Sequence, residues 1–178
     1  AITKISDLDW TIASHWAKQL NAIIEENPEQ RIYHPVSFSE NNMGIDVDAG
    51  RGVKSSSKHF ALKLPEKYQA TYIQGHIAIG KGYWEGVFNR FSAEIAVGET
   101  LIPVYSPDWY ISQISTKVSI NLQPKPYVGE IPVSVTSWDV KGVSGSLIVT
   151  CELTPDAYKE WQIKTFNAII SAYEQKLA

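Results

Sequence analysis

Sulfur is scarce in this sequence: one cysteine and one methionine among 178 residues. Cys151 alone cannot close an internal disulfide. A chain of this length can bury enough apolar surface to fold without such a staple. One thiol suits a cytoplasmic protein and equally a bacterial secreted protein that relies on its core. Long hydrophobic runs are missing as well. None approaches the ~18–20 residues that span a membrane, and no basic-then-apolar leader is present. Basic clusters are also lacking. Lys and Arg number 16 against 19 Asp and Glu, for a formal net charge of -3. That argues against a phosphate-tracking surface and against nucleic acid as a partner.

Catalytic signatures are absent too. The four histidines, His15, His34, His59 and His76, are dispersed, with no HxH or HExxH spacing. Gly142-Val143-Ser144-Gly145-Ser146 has the wrong spacing for a nucleophile elbow. Gly80-Lys81-Gly82 reads as a turn between strands, not as the strand-to-helix junction of a phosphate loop. No nucleophile is paired with a base and no metal ligands gather, so the expectation is a protein that is not an enzyme and needs no cofactor. Asp46-Val47-Asp48-Ala49-Gly50 opens like a calcium loop. An EF-hand is nevertheless excluded, because it would need an oxygen ligand at Gly50 and a glutamate at Ser57. A looser calcium site on Asp46 and Asp48 stays open beside the plainer reading of an acidic surface loop.

Aromatic residues are what the chain has in quantity. Six Trp and nine Tyr exceed what a core of this size needs, so part of them is expected at the surface, serving recognition. Apolar residues at 44% and charged residues at 20% describe a globular chain.

The N-terminal segment, 1–30, reads as helical. Ser6 and Asp9 have capping-box spacing, and Ile12 or Ala13, Trp16, Leu20 and Ile23 or Ile24 recur at helical intervals. Asn27-Pro28 is the expected stop. This segment is expected to pack on the domain that follows. From Arg31 to Leu153 the period becomes two. Ile32, His34, Val36 and Phe38 alternate, with Pro35 marking an edge strand. Thr71, Ile73, Gly75, Ile77 and Ile79 give the clearest alternation. About eight or nine short strands at sandwich-like spacing, with no helix between them, predict an antiparallel β-sandwich of jelly-roll type over 31–153, flanked by helices. Ile131 to Trp138 and Val143 to Leu153 are expected to pair through the turn Asp139-Val140-Lys141-Gly142. Cys151 falls on the apolar face of the second of these and is expected to be a small core residue.

Thr154 is a good N-cap and Pro155 suits the first helical position, so a helix is predicted over 154–178. Its apolar surface is wide for one contact. Trp161, Phe166, Ile169, Ile170 and Tyr173 are the candidate docking residues, either for self-association or for a neighbouring domain. Packing back on the sandwich is the plainer alternative. The chain opens at Ala1 and stops inside this helical pattern without a C-cap signal. It is therefore expected to be a mature protein after leader removal or a piece of a longer one, with this helix as the joint to the next part. Ile131-Pro132-Val133-Ser134-Val135, Leu147 to Thr154, Trp161 to Ile169 and Ala172-Tyr173 together resemble a module of large uncharacterised bacterial proteins. There a β domain is followed by a helix of WQxKTxxAIxxAY pattern that runs on into further domains. The resemblance covers the C-terminal third. It implies a modular parent and supplies no active-site residue.

The sharpest functional signal is three pairings of tryptophan with a carboxylate near turns: Trp84-Glu85, Asp108-Trp109-Tyr110 and Trp138-Asp139. A sugar ring stacks its C–H bonds on an aromatic face while the acid accepts from its hydroxyls. Binding surfaces also favour loops held on a rigid scaffold. A Trp that merely covers the core edge at a strand end is the competing reading. The expectation is a non-catalytic, carbohydrate-binding module of an extracellular or cell-surface bacterial protein. The alternative is a spacer or oligomerising module that docks through its last helix.

Overall fold

Most of the strand residues obey one rule, inward then outward, and two layers follow from it. The computed structural model describes residues 8–40, 55–81, 91–106, 113–138 and 140–178. Among these, β1 (Arg31–Glu40), β9 (Val140–Leu153), β3 (Tyr68–Lys81) and β6 (Gln113–Asn121) lie side by side in that order in one sheet, and the short β7 (Tyr127–Val128) also pairs with β3. The second sheet has the order β2 (Ser55–Lys63), β8 (Glu130–Trp138), β4 (Ser92–Val97), β5 (Thr100–Tyr105). Leave β7 aside and the pairing is nested: β4 with β5, β3 with β6, β2 with β8, β1 with β9. That is an antiparallel ribbon folded at its middle and rolled into two sheets, the jelly-roll topology expected from the sequence.

The fold point is the turn at Gly98 and Glu99, between Val97 and its partner Thr100. Gly98 has φ +60, which a side chain resists, and an added Cβ would run into the Tyr127 ring. The inward faces meet in a core that includes Ile73, Ile77, Ile79, Ile95, Val118, Ile131, Val133, Leu147 and Val149. At one margin the rings of Phe38 on β1 and Phe60 on β2 stack across the sheets at 4.8 Å. Beside them His34 turns inward, its Nε2 lying 3.2 Å from the Lys63 carbonyl oxygen, which assigns the N–H to that nitrogen.

Proline placement follows the ladder. Pro35 lies in β1, an edge strand as predicted, and Pro103 lies in β5, another edge. Pro132 is in the inner strand β8, but it stands one residue beyond the last β4 pair, Val133 with Val97. There its carbonyl accepts from the Gly98 N–H at 2.8 Å, and on that side no N–H is required of it. The edge strand β2 carries Lys58 on the face it shares with Val135. A charge turned inward on an edge strand discourages pairing with another chain.

One strand expectation is corrected. β8 and β9 are consecutive but not partners: β8 lies between β2 and β4, and β9 between β1 and β3 in the other sheet. A short link and two alternating strands describe a corner between sheets as well as a hairpin. The alternation also slips by one residue between buried Val140 and buried Val143, which re-aims the strand as it enters its new sheet.

The chain divides into two units, Tyr33–Cys151 and the combination of Ala1–Ile32 with Glu152–Ala178. The second unit is built on α1 (Trp10–Leu20) and α2 (Pro155–Leu177). Asp9 caps α1 by accepting from the Ile12 N–H at 2.9 Å. The predicted start at Ser6 lies outside the described residues, and the predicted end at Asn27 is corrected. α1 stops at Leu20, where Asn21 takes φ 56 and its N–H reaches the Ala17 and Lys18 carbonyls. Asparagine tolerates the left-handed conformation better than most residues, so it ends the helix before Pro28 can. Accordingly Ala13 and Ala17 are buried, whereas Ile23 is 94% exposed.

Thr154 caps α2 as predicted, accepting from the Ala157 N–H at 3.1 Å. Trp161 and Ile169 form a cluster with Leu8 and Ala13, flanked by Trp10, Leu20, Ile24, Tyr158 and Phe166. Polar contacts fix the arrangement. Trp161 Nε1 donates to the Glu25 carbonyl at 2.9 Å, and the buried Gln162 donates to the Leu8 carbonyl at 2.9 Å. Lys164 pairs with Glu25 at 2.7 Å, which raises its pKa. Arg31 and Glu152 close the unit's strand ends with a 2.7 Å ion pair.

Candidate functional site

Strand register assembles a surface that no short stretch of sequence contains. Ser55 pairs with Trp138, Trp138 with Ser92, and Ser92 with Tyr105, so one row crosses β2, β8, β4 and β5. The next row is Ser57, Thr136, Glu94 and Pro103. Residues directly opposite one another in a ladder point to the same face. That face is the outer one, because Ala93, Ile95, Val135 and Ser137 between these positions are buried. Tyr105 is 65% exposed, and Trp138, Glu94 and Thr136 are half-buried. Trp138 and Tyr105 stand two strands apart, about 9.5 Å at the usual strand spacing. In the ladder of the described residues the small Ser92 stands between them.

The support beneath this row is specific. Ser106 is buried directly after Tyr105, and its Oγ accepts from the Phe91 N–H at 3.0 Å. In return the Ser106 N–H donates to the Phe91 carbonyl at 2.9 Å. Phe91 itself is fully buried. These bonds hold the end of the β4–β5 pair, and with it the register of Ser92 and Tyr105. In the second row Ser57 Oγ and Thr136 Oγ1 lie 3.5 Å apart, leaving hydroxyl groups at the surface beside the Glu94 carboxylate.

Of the residues expected to bind a ligand, Trp138 is in this row. Trp84, Glu85, Asp108, Trp109, Tyr110 and Asp139 lie outside the described residues, as do the calcium candidates Asp46 and Asp48. The sequence reading missed Tyr105, Glu94, Thr136 and Ser57. The outward phase of β4 was legible, but the neighbours that give Glu94 an aromatic companion were not. Among the described residues no three His, Cys, Asp or Glu side chains gather to hold a metal. No described helix is long and apolar enough to cross a membrane.

The docking residues expected on α2 separate into two groups. Trp161 and Ile169, 4% and 7% exposed, are core residues of the helical unit, and Phe166 is packed against the same cluster. They are therefore committed within the chain. Ile170 and Tyr173 remain 37% and 53% exposed, together with Ile163 and Leu177. Cys151 is a core residue, as the sequence indicated, and burial raises the pKa of its thiol. Other concavities include a cavity of 380 Å³ lined by Glu99, Asn121, Gln123, Lys125 and Tyr127, and a shallow groove between serines of β1 and β9 near His76.

No family model and no curated protein matches this sequence. Among solved structures the chain is similar to a Stig cyclase from Fischerella sp. TAU, at 15% identity and a TM-score of 0.29, over 75% of this chain and 89% of that one. A likeness that slight carries no argument about fold or chemistry.

Proposed function

We propose that this chain is a non-catalytic glycan-binding module of a larger bacterial surface or secreted protein. The observation that supports this reading is the row in which Trp138 and Tyr105 share an outer sheet face, with the Glu94 carboxylate and the Thr136 and Ser57 hydroxyls in the row beside it. Aromatic faces receive the C–H side of a sugar ring, and the carboxylate and hydroxyls take its equatorial hydroxyls. The rings lose little conformational entropy on binding, since only two side-chain torsions are fixed in each. The test is a titration with a panel of soluble polysaccharides, read by tryptophan fluorescence and gel mobility. Trp138→Ala is expected to weaken the bound glycan at least about tenfold, ~1.4 kcal/mol for the loss of one aromatic anchor. A panel that shifts neither signal, or a Trp138→Ala protein that binds as the parent does, sinks the reading.

A second reading is favoured by one observation on α2. Ile163, Ile170, Tyr173 and Leu177 follow one another at intervals of 7, 3 and 4 residues, positions that share a coiled-coil seam. All four are exposed. In this reading the module assembles through α2 with a second copy of itself. Light scattering is then expected to give a dimer mass that falls to the monomer in the double variant Ile170→Glu, Tyr173→Glu. A monomer mass in the parent protein removes this alternative. Truncating the helix is the poorer test, because Trp161 and Ile169 belong to the core of their own unit.

A further inference from the structure

The geometry points to one class of glycan: a neutral, extended chain joined through equatorial bonds, bound along its length across β8, β4 and β5. This rests on the glycan reading above and narrows it. The first argument is spacing. Trp138 and Tyr105 occupy one cross-strand row with Ser92 between them, so their backbones are about two strand spacings, ~9.5 Å, apart. Pyranose rings linked through equatorial oxygens form a flat ribbon that advances by about one strand spacing per ring. Alternate rings of such a ribbon present the same face in the same direction. Rings n and n+2 can therefore lie on Trp138 and Tyr105, with ring n+1 above the small Ser92. A chain linked through axial bonds coils away from a flat sheet before it reaches the second aromatic. Three rings are the least that engage both.

The second argument is charge. In the two rows Glu94 is the sole charged group among the described residues, and Lys58 faces inward. A lone carboxylate accepts hydrogen bonds from neutral hydroxyls and repels the carboxylates or sulfates of an acidic glycan, with no cation in the rows to offset it. The third is openness. Among the described residues β5 is an edge strand, so the row runs out at Tyr105 to the margin of the described sheet. A ligand can continue past that margin, which suits recognition within a chain.

The test is calorimetric titration with β-1,4-linked glucose oligomers of one to six units, α-1,4-linked oligomers of the same lengths, and β-1,4-linked polyglucuronate, which keeps the equatorial linkage and adds only charge. Affinity is expected to rise at least tenfold between the disaccharide and the tetrasaccharide of the β series and then to level off. Tyr105→Ala should remove that rise, so that the tetrasaccharide binds no more tightly than the disaccharide. Glu94→Gln should bring binding of the β-1,4-linked polyglucuronate up at least fivefold. A disaccharide bound as tightly as the hexamer overturns the inference, as does an α series that binds more tightly, or a parent protein that prefers the polyuronate. In those three cases the glycan reading survives. If no glycan binds at all, both fall together.

Discussion

Gly75→Ala is expected to lower the stability of the β-sandwich by roughly 3–5 kcal/mol, among the larger effects of a single methyl group. Gly75 lies in the middle of β3, in the inward phase of Ile73 and Ile77, where any apolar side chain would look acceptable. Two facts exclude one. Its φ is +150, a conformation that side chains rarely adopt. An added Cβ would also stand 2.8 Å from the Leu147 Cα, and closer still to the Ser146 carbonyl oxygen. Both are backbone of the adjacent strand β9, so no rotamer change relieves the clash. The measurement is urea unfolding followed by tryptophan fluorescence, in which the midpoint should fall by more than about 1 M. Gly80→Ala is the control on the same strand. Its nearest neighbour outside the local chain, the Gly142 carbonyl, is at 3.9 Å, so that change should be nearly silent. Equal behaviour of the two variants contradicts the account.

Trp161→Ala should cost the helical unit about 3–5 kcal/mol, the usual range for deleting a buried large aromatic. Trp161 has two attachments. Its ring packs with Leu8, Ala13 and Ile169, and its Nε1–H satisfies the Glu25 carbonyl in the segment that follows α1. Trp161→Phe separates them: much of the packing remains and the hydrogen bond is lost, for an expected ~1–3 kcal/mol. The ordering parent, then Phe, then Ala should appear in thermal melts followed by helical circular dichroism. If Trp161→Phe melts like the parent, the bond to Glu25 contributes nothing. If Trp161→Ala does, the cluster is not what joins the helices.

How far each of these features was legible follows from its range along the chain. The start of α2 was plain, because a cap and a first-turn proline act within a few residues. Strand phase was equally plain: β1 occupies the predicted residues, and Ile73, Ile77 and Ile79 are buried as their alternation required. The end of α1 was misjudged because two stop signals lie close together, and Asn21 acts before Asn27-Pro28 is reached. Trp138 was selected for its carboxylate neighbour in sequence, Asp139. Among the described residues the carboxylate near it is Glu94, diagonal to it on the neighbouring strand β4 and separated from it by more than forty positions in the chain. On α2, Trp161 and Ile170 looked alike as apolar residues of one helix. Their different fates depend on where α1 lies.

By itself, then, the amino-acid order determined which residues turn inward, where α2 begins, and that the strands form antiparallel layers. These are properties of a period of two or of a local cap, and each is set by side chains within a turn or two of one another. The tertiary structure alone decided which strand lies beside which. That choice sent β8 and β9 to different sheets, set Gly75 against the backbone of β9, and placed Trp138, Tyr105 and Glu94 on one face. The physical reason is that ladder hydrogen bonds come from the backbone, which is the same at nearly every position. A strand's own sequence states which side it buries, and it leaves the neighbour to be chosen by how the whole ribbon rolls up.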